Sequence, residues 1–301
     1  MFNGIFYIYI SICGELLKWM CKLHILNPKK NTKEREKSER PLVVSLTSYG
    51  RRVADTVPYT IISLLRQSYQ PDELILWLDE SKWSDQNIPN SLKRLQRYGL
   101  TIKYCEGNIR SYKKLVPTLI YRPDSLVITT DDDVYYPFDM VERLIKEYQK
   151  NPNRVYCNIA HHIKIDSENG LCAYKEWNGD VYGESGPKVF PTGVGGVLYD
   201  PRRLYKDVTR KDLFTQLSPL ADDVWFYFME LLQGTECCVL RRRPMGTFYP
   251  IDMFYQKFHK DSGLAKQNVG ENMNDCQIKN VMDYYGIIVD KENRKLRRPL
   301  L

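Results

Sequence analysis

Apolar positions in this chain fall into short dense runs separated by stretches of helical spacing. Residues 42–46 (LVVSL), 73–78 (ELILWL), 100–104 (LTIKY) and 126–129 (LVIT) are apolar or β-branched runs of strand length, as expected of strands buried on both faces. Between them, 57–67 (VPYTIISLLRQ) puts Ile61, Leu64 and Leu65 on one helical face. Residues 92–98, 111–119 and 138–149 also read as helical, with Pro117 starting or kinking the second of these. Strands alternating with helices predict a largely parallel α/β sheet. Beyond Asn151 the pattern changes. Residues 154–165 read as one more strand, 167–191 as loop, and 192–199 (TGVGGVLY) as a glycine-rich stretch leading to a short helix. Helices follow at 220–233 and 274–285.

The two ends differ from this body. Residues 1–26 begin apolar and aromatic, and are then interrupted by Glu15, Lys18 and Lys22. The uncharged run is shorter than the roughly 20 residues of a spanning helix, and there is no basic leader or small-residue cleavage site. Two readings stay open: an interfacial helix followed by a basic segment, or a helix packed on the domain or a partner. Residues 18–40 carry a net +5 and residues 291–301 a net +4, within a formal charge of +7 for the 301-residue chain. The body is therefore close to neutral. That argues against a nucleic-acid-binding face and fits tails that meet an anionic membrane surface. The division expected is an apolar and basic segment over 1–40, one catalytic body over 41–290 and a basic tail over 291–301. The eight cysteines include no C-x-x-C pair, which suits reduced thiols in a cytoplasmic protein.

Candidate chemistry gathers at the predicted strand ends. The run 126–129 leads almost directly into Asp131, Asp132 and Asp133. Crowded carboxylates raise one another's pKa unless a cation is present. If the backbone stays extended, Asp131 and Asp133 face the same way and reach one metal, while Asp132 points elsewhere and tolerates change best. Mg2+ or Mn2+ held by one or two carboxylates leaves positions for a diphosphate. Asp79 ends the second strand, either as a turn residue or as an acceptor for a nucleoside. Thr47, Tyr49, Arg51 and Arg52 follow the first strand, and Lys113 and Lys114 lie near a helix start. Thr47 and Tyr49 are candidate nucleotide contacts; the basic residues neutralise phosphate or are simply solvated. Gly193, Gly195 and Gly196 form a tight turn or let backbone approach a ligand. Asp222 and Asp223 open an apolar helix, as helix-start acids or as a general base. Trp177, Tyr182 and Trp225 pack in the core or present flat faces to a sugar.

In this order the pieces resemble glycosyltransferase family 2 and its relatives with the GT-A fold. The resemblance covers residues 63–80 (SLLRQSYQPDELILWLDE), 126–137 (LVITTDDDVYYP), 192–204 (TGVGGVLYDPRRL) and 221–234 (ADDVWFYFMELLQG). It implies a Rossmann-like, mostly parallel sheet flanked by helices, with a nucleotide half over about 41–137 and a mixed acceptor half over about 138–290. Asp79 would contact the nucleoside. Asp131, Asp132, Lys113, Lys114, Thr47, Tyr49 and Arg51 would meet the sugar nucleotide, and Asp131 and Asp133, with His259, the metal. Gly195, Gly196 and Trp225 would face the acceptor, and Asp223 or Asp222 would be the base. The family's usual Glu-Asp pair near the base is Asp-Asp here.

The activity implied is transfer of a sugar from a nucleotide-diphosphate sugar to an acceptor hydroxyl, with inversion, in glycan or lipopolysaccharide synthesis. Lipid-linked glycans at the inner face of the cell membrane are among the expected acceptors. A nucleotidyltransferase, which would carry a glycine- and lysine-rich loop after the first strand, and a non-catalytic glycan-binding domain are the alternatives.

Overall fold

The computed structural model describes residues 4–29, 40–168, 170–252 and 272–298. At its centre is one eight-stranded sheet. Strands β1 (Leu42–Thr47), β2 (Glu73–Asp79), β3 (Leu100–Cys105) and β4 (Leu126–Thr130) lie parallel in the order β3-β2-β1-β4. Past β4 the sheet continues through Val197–Tyr199, which is antiparallel, then β6 (Arg154–Cys157) and Glu236–Val239, with Ser185–Gly186 antiparallel at the edge. The short strand β5 (Val134–Tyr135), between β4 and β6 in the chain, pairs instead with Tyr249–Pro250. The expected α/β class is thus observed, and a single sheet runs without a break through both expected halves.

Strand periodicity sorts the core into two layers. Leu126 and Ile128 join a cluster with the α3 helix (Val57–Leu65) and the α6 helix (Met140–Lys150), whereas Val127 faces the opposite cluster around the α8 helix (Asp222–Gln233). The helix α5 (Val116–Tyr121) starts with proline in its first turn, after a 3-10 turn at Arg110–Lys114. That position suits proline, whose missing N–H costs nothing there.

Three expectations change. The strand read over 154–165 is broken into Arg154–Cys157, Ala160–His162 and Ile165–Asp166. The middle segment leaves the main sheet and pairs with Asn178–Val181 and Val189–Pro191. The stretch after the glycines does not run straight into a helix: Val197–Tyr199 is a strand between β4 and β6, and the 3-10 turn at Pro201–Arg203 comes only after it. Three residues are too few for a periodicity to show. The basic C-terminal segment is in part built into the body, since Lys295–Arg297 pairs with Ile288–Asp290 and Leu296 is buried.

Candidate active site

The parallel strands bring their carboxyl ends to one edge of the sheet. Ser48 follows β1, Asp79 ends β2, Asp131–Asp133 follow β4 and Asn158 follows β6. The antiparallel strand Val197–Tyr199 begins at the same edge, so the turn at Gly193–Gly195 also sits there. The chain runs outward from β1 to β3 on one side and resumes at β4 on the other. The gap between β1 and β4 is a switch point of the kind where α/β sheets bind ligands.

Lys114 lies at the centre. Its Nζ is 3.2 Å from Asp131 Oδ1, 3.0 Å from Asp222 Oδ2 and 4.0 Å from Asp223 Oδ1. Burial works against its charge, but the Asp131, Asp222 and Asp223 carboxylates outweigh it and hold the ammonium well above its ordinary pKa. Tyr112, two residues earlier, fixes the turn: its ring stacks on Phe214 at 4.1 Å, and its hydroxyl donates to the Ser218 carbonyl at 2.5 Å. The entry into α8 is held from the other side. Gln277, on the α9 helix (Met273–Tyr285), accepts the N–H groups of Leu220 and Ala221 through Oε1, at 2.7 and 3.0 Å.

The two acids that open α8 differ. The Asp222 side chain is 9% exposed and turned onto Lys114, whereas that of Asp223 is 31% exposed. Asp223 Oδ2 accepts the Gly193 N–H at 3.2 Å. Its carboxyl is pushed up to about 7 by burial and by Asp222 and Asp131, against the pull of Lys114 and the Gly193 N–H. Neither acid caps its own helix: the N-cap residue is Ala221, with no side-chain cap hydrogen bond. Gly193 belongs to this centre too. A Cβ there would stand 2.5 Å from Lys114 Nζ, 3.3 Å from Asp223 Oδ1 and 3.4 Å from Asp131 Oδ1. Only glycine leaves that space clear. Tyr136, fully buried, ties the acids to the turn: its hydroxyl accepts the Asp131 N–H at 2.9 Å and donates to the Val194 carbonyl at 3.1 Å.

A second centre lies beside the first. Asp132 is buried, accepting from Ser48 Oγ at 2.5 Å and from the Arg52 guanidinium at 3.0 Å. Arg52 also pairs with Asp133 at 3.1 Å and stacks on Tyr49. Burial and the neighbouring Asp133 push the Asp132 carboxyl up to about 6, while Arg52 and the Ser48 hydroxyl oppose them. Burial also opposes the Arg52 charge, yet Asp133 and Asp132 hold that guanidinium firmly protonated.

These contacts correct several expectations. Asp131 and Asp133 do not face the same way: Asp131 turns to Lys114 and Asp133 to Arg52. The alternation of an extended chain stops where β4 ends, at Thr130, and the three acids lie in the bend beyond it. Asp132, expected to tolerate change best, is the most enclosed of the three. Trp225 has no exposed surface and donates its indole N–H to the Val208 carbonyl at 3.1 Å, so it is core and not an acceptor platform. Lys114 faces carboxylates, and Arg51 pairs with Asp55 and Asp252. His259 lies outside the described residues.

Other expected residues sit at the edge with plain local roles. Asp79 accepts the Ser81 N–H and hydroxyl at 3.0 and 2.8 Å; those bonds and the Lys113 charge outweigh burial and lower its pKa. Lys113 donates to Asn108 at 3.0 Å, and Thr47 donates to the Trp77 carbonyl at 2.9 Å. Gly195 is pressed against Ile159 and Asn158, and Gly196 takes φ +88°, which favours glycine. Ser48 and Tyr136 were not singled out from sequence, because a lone serine and a tyrosine before a proline carry no pattern. Among the described residues, no group of three or more His, Cys, Asp or Glu side chains converges as a metal site.

The family model of glycosyl transferase family 2 matches residues 44–198. That span contains the Arg52 centre, Lys114, the acidic triplet and the glycine turn. No curated protein matches significantly. Among solved structures, TarS of S. aureus is 13% identical, with 82% of this chain and 72% of that chain covered and a TM-score of 0.48. The 4-diphosphocytidyl-2C-methyl-D-erythritol synthase of Anaerococcus prevotii is 16% identical, with 80% and 98% covered and a TM-score of 0.46. The mannosyltransferase PcManGT of Pyrobaculum calidifontis, in complex with GDP-Man and Mn2+, is 14% identical, with 79% and 66% covered and a TM-score of 0.41.

Proposed function

The chain belongs to glycosyl transferase family 2, and from that premise we propose that it moves a sugar from a nucleotide-diphosphate sugar to an acceptor hydroxyl, with Asp223 as the general base. The observation that carries this reading is the Asp223 carboxyl. It is partly open to the cleft, fixed by the Gly193 N–H and pushed up to about 7. A base with a pKa near the working pH is best placed to take a proton from a hydroxyl as the hydroxyl attacks, a contribution of roughly 10²–10⁴-fold. Asp222, enclosed on Lys114, is the positioning partner: it holds the lysine between α8 and the β4 end. The donor lies along the β1–β4 edge, with its leaving diphosphate toward Asp131 and Asp133 and its nucleoside toward Asp79. The acceptor enters past the turn at Gly193–Gly195. The reaction proposed is a single displacement with inversion: the hydroxyl oxygen bonds to the anomeric carbon as its proton passes to Asp223 and the bond to the diphosphate breaks.

Asp131 and Asp133, with side chains 33% and 22% exposed, suit in kind a hard divalent cation such as Mn2+ or Mg2+. Such an ion takes one or two carboxylates and fills its other positions with water and phosphate. These two residues would hold it, and its chemistry there is to offset charge on the departing diphosphate. The acceptor class that fits is a glycan or lipid-linked glycan at the cytoplasmic face. The test is release of nucleoside diphosphate from a panel of nucleotide sugars with Mn2+ present. Transfer that survives the Asp222→Asn, Asp223→Asn double substitution removes the base assignment. Failure of every nucleotide sugar to bind removes the transferase reading.

A further inference from the structure

The α1 helix (Gly4–Lys22) carries a stripe that none of the described residues covers. Ile5, Ile8, Ile12, Leu16, Trp19 and, just past the helix, Leu23 recur every three or four residues and are between 47% and 79% exposed. The opposite face is locked to the body. Ile10 and Cys21 are buried, and a Cβ on Gly14 would stand 1.9 Å from the Pro250 carbonyl oxygen, so the backbones meet without a side chain between them. Both charged residues in the middle of the helix face inward to one place: Lys18 pairs with Asp252 at 3.4 Å, and Glu15 accepts the Asp252 N–H at 2.6 Å. Glu15 is the only acid on the helix, so the outer face carries no negative charge. At one end Arg242 sits over the Phe6 ring at 4.9 Å, next to the exposed Arg241. At the other end Lys22 and Lys29 are exposed, and residues 29–40 hold six basic and three acidic residues.

We infer that this face of α1 lies in the plane of an anionic lipid surface, holding the enzyme on the membrane with its site alongside. The stripe supplies apolar area, and its two basic ends meet acidic headgroups, the combination that binds an in-plane helix. Tyr9 and Trp19 are side chains of the kind enriched at membrane–water interfaces. A second copy of the chain fits less well. Any two-fold pairing of the stripe sets arginines and lysines of one copy against those of the other, whereas a lipid surface neutralises both ends. A spanning arrangement has the length but would pull Lys18, Glu15 and Gly14 off Asp252 and Pro250. The site is adjacent. The Ile251 N–H donates to the Asp133 carbonyl at 2.9 Å, and Asp252, held by α1, also pairs with Arg51 at 2.7 Å.

The test uses the full chain and sedimentation with phosphatidylcholine vesicles, with and without phosphatidylglycerol. Binding to the anionic vesicles alone, reversed by salt, is expected. Leu16→Glu with Trp19→Glu should weaken it roughly tenfold or more, with donor binding unchanged. Arg241→Glu with Arg242→Glu, away from the packed face, should weaken binding and reduce its salt dependence even if the first variant folds poorly. Three results overturn the inference: vesicle binding unaffected by either pair, a dimer in sedimentation equilibrium that the Leu16→Glu, Trp19→Glu chain loses, or membrane-bound protein that resists alkaline carbonate extraction.

Discussion

Two cations stand side by side at the β1–β4 edge, and they serve different ends. Lys114 is a point charge among three carboxylates delivered by two separate elements, the β4 end and the first turn of α8. Arg52 is a fork between neighbouring acids of one bend, with a serine hydroxyl completing the set. The first centre is short of positive charge and partly open. The second is better balanced, and its central acid is buried. A ligand that brings positive charge or gives up a proton has more to gain at the first. The second holds the bend in shape, which suits a planar guanidinium with fixed donor directions. The acidic triplet is therefore divided between an open centre and a structural one.

The sharpest way to break this comparison is to neutralise one acid on each side. Asp223→Asn should lower kcat by roughly 10²–10⁴-fold with little change in donor KM, read from nucleoside diphosphate release; the folded state should survive. Asp132→Ala should do the reverse. It leaves Arg52 with Asp133 alone and costs about 3 kcal/mol of stability, read as a lower urea midpoint. If Asp132→Ala unfolds no more easily than the parent chain, the second centre is not structural. Gly193→Ala comes next. Its Cβ displaces the Lys114 ammonium, a movable side-chain tip, so the fold should hold while kcat falls on the order of 10²-fold through misplacement of Asp223.

The smallest effect is in pH. With Asp223 at about 7, the form able to accept a proton grows as pH rises through 7, and kcat should climb about tenfold per unit below that point and level off above it. Stability runs the opposite way. The folded carboxyl holds its proton more tightly than the unfolded one, so this group's contribution falls as pH rises from about 4 to about 7. Asp223→Asn should flatten both curves. A rate profile unchanged in Asp223→Asn would assign the titration to another group.

Much of this was legible. The runs at 42–46, 73–78, 100–104 and 126–129 are strands because β-branched and apolar residues without a polar alternation belong in a sheet covered on both faces. The ordered motifs placed Asp79 and the triplet at strand ends and the acidic pair at a helix start, and those are where they lie. The limits are equally specific. Lys113 and Lys114 are neighbours in sequence, yet one donates to Asn108 and the other sits among the acids. Arg51 and Arg52 divide in the same way between Asp252 and the triplet. Trp225 cannot be told from a sugar platform by its neighbours in the chain, and is buried because α8 is enclosed by the sheet and by α9.

The sequence by itself determined the class of the fold, the edge at which the chemistry gathers and the residue types available there, because strand periodicity and order along the chain are local properties. The tertiary structure alone decided which carboxylate meets which cation. It set Asp223 apart from Asp222, enclosed Asp132, and turned Glu15 and Lys18 inward so that α1 shows an apolar face. The physical reason is that burial and charge pairing depend on which surfaces meet in space. A one-residue difference along a bend or helix start changes the direction of a side chain, and hence its partner, without altering the pattern from which the element was read.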